Sequence, residues 1–274
     1  MPWEREILKL GLPSPSGRGM FQNIVMLNYR AFVSTVTVMT FVAVWEFAPR
    51  AGIVDAAFTS QPTRVVAAGL EIIRTGGFLH DVSVSLSEFA LGFTLAVAVG
   101  VPLGLALGRF RALRYALDPP IMAIYATPHL ALLPIIVVWL GIGMQSKIAV
   151  AFVSGVIPIL VNAMAGVRGV DGSWIAAARS FSARELDVFL KVILPASLPS
   201  VILGIRLGLS RAVLGVVVAE MYQSQAGVGN EIMRYGSEFR TDYLLFDVLL
   251  VSLFGLTATS AVRALEERLW TAGE

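Results

Sequence analysis

The amino-acid sequence predicts an all-α integral membrane protein with six transmembrane helices and both termini in the cytoplasm. Three observations lead there: a shortage of charge, long uncharged stretches, and an asymmetric placement of Lys and Arg. Of the 274 residues 56% are hydrophobic and 15% charged, with a mean hydropathy of +0.76, whereas soluble domains average about a quarter charged residues. A chain this long has room for about six spans of ~20 residues with modest loops.

The elements follow in order. Residues 1–30 scatter their basic residues among Pro, Ser and Gly, without a compact apolar run ending in a cleavage site, so they are expected as a cytoplasmic tail rather than a signal peptide. The six-helix domain is expected over 31–268, and 269–274 as a C-terminal tail. Its first span is 31–48, with Glu46 near one end. Pro62 opens a stretch to Thr75 with Val65, Val66, Leu70, Ile72 and Ile73 at helical spacing, which suggests a short helix lying on the membrane. Residues 89–108, 119–146 and 148–167 carry no charge and can each cross the hydrocarbon, where a charge costs about 2.5–3.5 kcal/mol. The remaining spans are 199–221, with Arg206, Arg211 and Glu220, and 243–262, with Asp247 near its start.

Orientation follows from the positive-inside rule. With the N-terminus inside, 13 basic residues fall on the cytoplasmic side, 6 outside, and Arg206 and Arg211 within the fifth span.

Gly92, Ala96, Gly100, Gly104 and Gly108 form a stripe of small residues along the second span, repeated by Gly204, Gly208 and Ala212 in the fifth. Such stripes let helices approach closely in lipid; a tight packing face is the first reading and a ligand-lining face the second. Pro102, Pro128, Pro134 and Pro158 predict bends in the second, third and fourth spans.

Polar residues within spans point to a pathway, because an ionisable side chain there faces protein or water. The candidates are His129, Asn162, Arg206, Ser210, Arg211 and Glu220. Arg206 and Glu220 can also snorkel to the nearer interface, and a hydrogen bond between helices accounts for His129 or Asn162. Arg211 lies deeper in its span, where it serves a function or a second subunit or else pairs structurally.

The longest cytoplasmic connection, 167–198, is expected to be folded. After the Asp171-Gly172-Ser173 turn, apolar positions 175, 178, 181, 186, 189, 190 and 193 fit two short helices with a change of face near 182–185. Such a pair packs on its own protein or receives a partner; the pattern serves both.

This spacing resembles the EAA loop of binding-protein-dependent ABC importer permeases: Glu-Ala-Ala, three residues, Gly, nine residues, Ile, one residue, Leu-Pro. The register falls on Ala176-Ala177-Ala178, Ser182, Val192 and Leu194-Pro195, so Ala176, Ser182 and Val192 replace the family's Glu, Gly and Ile. Ala131-Leu132-Leu133-Pro134, Trp139-Leu140-Gly141-Ile142-Gly143, Ser146-Lys147, Pro158, Asn162, Ala165-Gly166-Val167, Gly204-Ile205-Arg206-Leu207 and Val218-Ala219-Glu220 are similar to the branch serving nitrate, taurine, alkanesulfonates, bicarbonate and some pyrimidine precursors. The resemblance implies a type I importer permease fold in a bacterial inner membrane, a permease homodimer, two cytoplasmic ATPase subunits holding ATP and Mg, and an external solute-binding protein. It also implies that the ATPases dock on Ala176, Ala177, Ala178, Arg179, Phe181, Ser182, Ala183, Arg184, Leu194 and Pro195, and that the cargo is a small solute. We expect a small anion such as a sulfonate, taurine or nitrate, the alternative being a neutral pyrimidine-like solute.

Other functions are excluded or disfavoured. There is no cysteine, and none of Lys9, Lys147 and Lys191 sits in a P-loop, so this chain is expected to bind no ATP, cofactor or catalytic metal of its own. His80 and His129 are far apart, and no basic block interleaved with aromatics suggests nucleic acid. The competing class is an ATP-independent secondary carrier or channel, which differs by working without an ATPase.

Overall fold

The computed structural model describes residues 20–222 and 224–271, and every regular element among them is helical. In chain order these are α1 (Met20–Arg50), α2 (Ala56–Thr59), α3 (Pro62–Thr75), α4 (Phe78–Arg109), α5 (Arg111–Ala126), α6 (Leu133–Leu140), α7 (Met144–Arg168), α8 (Gly172–Ser180), α9 (Glu185–Val188), α10 (Leu194–Tyr222), α11 (Val228–Ser237) and α12 (Thr241–Thr271). Residues 1–19 of the expected N-terminal tail, and 272–274 of the C-terminal one, lie outside the described residues.

The chain divides into two units, residues 1–64 and 65–274. In the first, α1 exposes its side chains along 31–44, as a lipid-facing span does. At its far end Trp45 Nε1 donates to the Thr59 carbonyl at 3.0 Å, and the Glu46 carboxylate accepts from the Thr63 N–H at 3.0 Å and hydroxyl at 2.8 Å. Glu46 therefore supplies the acceptor that the start of α3 lacks.

The second unit is built on α7, which lies between α4 and α10 and buries residues on both faces, among them Val150, Ala151, Ile159 and Ala163. The glycine stripes explain the closeness. A Cβ on Gly104 would lie 2.5 Å from the Leu160 carbonyl oxygen, and one on Gly108 2.5 Å from Val167 Cβ. On the opposite face, a Cβ on Gly208 would stand 2.6 Å from Ile159 Cγ1 and 2.8 Å from the Gly155 carbonyl. Both stripes are packing faces, and the backbone approach they permit is the main source of helix association in lipid.

Among the described residues five helices are long and apolar enough to cross a membrane, and a bent pair, counted as one broken span, makes six. That pair corrects the expected third span. Residues 119–146 do not form one continuous helix: α5 stops at Ala126, a 3-10 turn follows over His129–Leu132, and α6 leaves at 88°. The cause is local. Pro128 disfavours helical backbone at Thr127, which is extended at φ −76° and ψ 134°. Gly141, at φ +80°, then ends α6, so Ser146 and Lys147 belong to the first turn of α7. Pro102 and Pro158, by contrast, sit inside continuous helices.

Of the short helices, α3 buries Val65, Ala68, Gly69 and Ile72 within the protein, with Gly69 against the Phe246 ring of α12, and leaves Val66, Leu70 and Ile73 exposed. The sequence reading passed over α11, which buries Val228, Ile232 and Tyr235.

Candidate functional site

The connection between α7 and α10 folds as two helical pieces with a corner at Ser182. Asp171 caps α8 by accepting from the Ser173 N–H at 2.8 Å, and that bond holds its carboxyl below the usual carboxylate range. Ser182, where the family has Gly, takes a left-handed φ of +56°. After α9 the backbone widens into a π turn over Phe189–Ile193, with the Leu194 N–H reaching back to the Phe189 carbonyl. Pro195 has no N–H to offer the Lys191 carbonyl and its ring would clash there, so the Leu-Pro pair accounts for the widening.

This connection has two faces. The inner one packs Ile175, Ala178, Ala183, Val188, Phe189 and Ile193 onto Leu105 and Val167. Its acid is Glu185, which pairs with Arg109 of α4 and with Arg179, whose Nε donates to Oε1 at 3.0 Å. The outer face exposes Trp174, Ala176, Ala177, Arg179, Phe181, Arg184, Leu186 and Leu190. Phe181 is 88% exposed, an extreme value for an aromatic ring. Trp174, Ala177, Phe181, Lys191, Val192 and Pro195 line an open cleft of ≈480 Å³. Leu194 is half-buried beside it.

The expected pathway residues separate into three settings. Ser210 and Arg211 are exposed on α10, and Arg211 has no carboxylate within ion-pair distance among the described residues. His129, half-buried in the break between α5 and α6, lies within electrostatic range of Arg211. Arg206 is half-buried, with Nη1 3.9 Å from Glu266 Oε2 of α12. Asn162 donates to the Pro158 carbonyl at 2.8 Å, with its Cβ side against Gly204.

Glu220 has turned inward. It is fully buried, accepting from the Ser85 hydroxyl at 2.6 Å and from the Gly229 N–H at 2.7 Å. Next to it Lys147 Nζ donates to Glu88 Oε1 at 2.8 Å and to Ser224 Oγ at 2.7 Å. Ser85 Oγ also accepts from the Val228 N–H at 2.9 Å. Gly227 is required here: at φ +109°, a Cβ on it would stand 2.2 Å from Glu220 Oε1.

Sequence reasoning did not pair Glu88, which precedes the uncharged stretch 89–108, with Lys147, which separates 119–146 from 148–167. The signal that unites them with Glu220 was present: all three mark the expected outer ends of spans, and opposite charges at one depth can pair. Beyond this cluster, burial beside Glu231 pushes the Tyr235 hydroxyl up to about 12, so the phenol stays protonated while Arg234 Nη2 donates to its oxygen at 3.2 Å.

Comparisons with known proteins agree with this architecture. The family described as binding-protein-dependent transport system inner membrane component is matched over residues 100–271. The chain is 33% identical over 228 residues to an aliphatic sulfonates transport permease protein of Bacillus subtilis, covering 83% of each chain. It is 31% identical over 248 residues to the taurine transport system permease protein of Escherichia coli, covering 89% of this chain and 90% of that one. In fold it is similar to an inward-facing structure of a methionine ABC transporter, with a TM-score of 0.55 at 20% identity over 68% of this chain and 95% of that chain. The six apolar segments, the two-faced connection and these matches together establish that the chain belongs to the family of binding-protein-dependent transport system inner membrane components and is a multi-pass permease of the inner membrane.

Proposed function

We propose that this chain forms the translocation pathway of an ATP-driven importer for a small sulfonate-type anion, as half of a permease homodimer fed by an external solute-binding protein. Arg211 carries the reading. A guanidinium at mid-span does not face hydrocarbon, yet this one is exposed and without an ionic partner in its own chain among the described residues. A second copy and a water-filled path between the two satisfy that requirement. Ser210 beside it, with Arg206 and His129, adds donors and positive charge suited to a sulfonate oxygen. The two relatives reported above carry sulfonates and taurine in their names.

Energy comes from two ATPase subunits, which hold the ATP and Mg and seat on the outer face of the connection around Ala176, Ala177, Phe181 and Arg184, on the cytoplasmic side with both termini. The inner face passes their movement to α4 and α7 through Glu185 and Val188. The chain itself performs no nucleotide chemistry.

The test uses the full chain co-purified from its native membrane and reconstituted in liposomes with an excess of the solute-binding protein. ATP-dependent uptake of radiolabelled sulfonate by the wild type, lost in Arg211→Gln while ATPase co-purification persists, supports the pathway. Phe181→Asp should lose the ATPase. Uptake without ATP, or normal uptake in Arg211→Gln, overturns the reading.

A further inference from the structure

Beside the buried cluster at the Glu88 end of the bundle lies a second polar feature, a cavity of ≈250 Å³ that the transport reading leaves unused. Its lining includes Thr75, Asp81, Glu231, Arg234, Tyr235 and Asp247. Asp247 is only 2% exposed, and its Oδ2 has no hydrogen-bond partner among the described residues. A buried carboxylate oxygen left in this way is costly unless something satisfies it.

The cationic side chains around it are committed elsewhere. Lys147 is held by Glu88 and Ser224, and Arg234 by Glu231. Asp81 Oδ1 accepts from the Gly227 N–H at 2.7 Å. Three carboxylates against one guanidinium leave the cavity in need of positive charge. Among the described residues no three His, Cys, Asp or Glu side chains converge closely enough to hold a metal ion. A primary ammonium fits better, because its three N–H donors reach acceptors more widely spaced than a metal's ligands.

Of the lining residues, Thr75 and Gly77 at the end of α3 are exposed and form part of its rim. The exposed Val66, Leu70 and Ile73 of that helix place the rim where a membrane surface meets water. We propose that this cavity is a binding site for a primary ammonium group, such as that of an ethanolamine phospholipid headgroup or of a free small amine. Asp247 and Asp81 accept hydrogen bonds from its N–H groups.

The experiment is native mass spectrometry of the full chain in detergent, titrated with phosphatidylethanolamine or with phosphatidylcholine of the same acyl chains. Wild type should bind one ethanolamine lipid per chain about tenfold more tightly than the choline lipid, whose quaternary nitrogen donates no hydrogen bond. Asp247→Asn should abolish that preference. Thr75→Trp, at an exposed position on the rim of the cavity, should obstruct it and do the same. Displacement by free phosphoethanolamine assigns the site to soluble amines; a bound lipid that resists it assigns the site to the headgroup. Equal affinity for the two lipids together with no binding of free phosphoethanolamine, or a preference unchanged in both variants, overturns the proposal.

Discussion

Lys147 Nζ lies 2.8 Å from Glu88 Oε1, joining the first turn of α7 to α4 through an ion pair whose side chains are 8% and 1% exposed. Because so little water reaches it, each partner depends on the other. Lys147→Met alone leaves Glu88 buried without its ammonium and should destabilise the protein by about 3–5 kcal/mol, whereas the double change Glu88→Leu with Lys147→Met should recover most of that loss. Unfolding in SDS titrations of the purified variants measures both.

Gly104 and Gly255 make a matched test of the packing stripe. Gly104→Ala puts a methyl 2.5 Å from the Leu160 carbonyl and should cost about 1–3 kcal/mol as α4 and α7 are forced apart. Gly255→Ala meets nothing within 4 Å and should stabilise α12 by up to about 1 kcal/mol through helix propensity. The same titrations should show opposite signs.

Ser182 occupies a left-handed corner that a side chain adopts at a cost of about 1–2 kcal/mol. Ser182→Gly should therefore keep the α8–α9 corner and stabilise it slightly, since part of the gain is offset by the freer unfolded chain. Ser182→Val should loosen it. Amide hydrogen exchange over residues 180–186 reads the difference, with slower exchange for Gly and faster for Val.

The cap on α8 gives a pH dependence of definite sign. Because the Ser173 N–H holds the Asp171 carboxyl below its ordinary value, the cap is fully present above the unfolded pKa of about 4 and fades as pH falls through the lower folded value. Exchange in the first turn of α8 should stay flat from neutral pH to about pH 4, after correction for intrinsic rates, and then accelerate. Asp171→Ala should exchange fast across the whole range.

Much of this was legible in advance, and the misses have physical causes. The spans follow from uncharged length, and the closeness of α4 to α7 follows from the Gly92–Gly108 stripe, since both properties are local. The break after Ala126 was half visible in Pro128, but a proline bends a span or ends it depending on what the next residues pack against. Pro158 and Pro128 differ in that way and look alike in sequence. Glu220 was read as able to reach an interface, whereas its burial depends on Ser85 and Gly229, partners 135 and 9 positions away. Arg211 kept its expected prominence because its isolation along α10 is a local fact.

Glycine on both sides of α7 has a mechanical consequence. Where the glycines of α4 and α10 meet α7 the backbones touch, so few pliable side chains lie at those crossings to absorb shear. The three helices should therefore tilt as one stiff slab, and α7, with 25 residues at ~1.5 Å each, spans about 37 Å. A push at the Phe181 corner then reaches the Glu88–Lys147 end as a rotation with little slack, leaving the kinked α5–α6 pair to provide the compliance that any change of access needs.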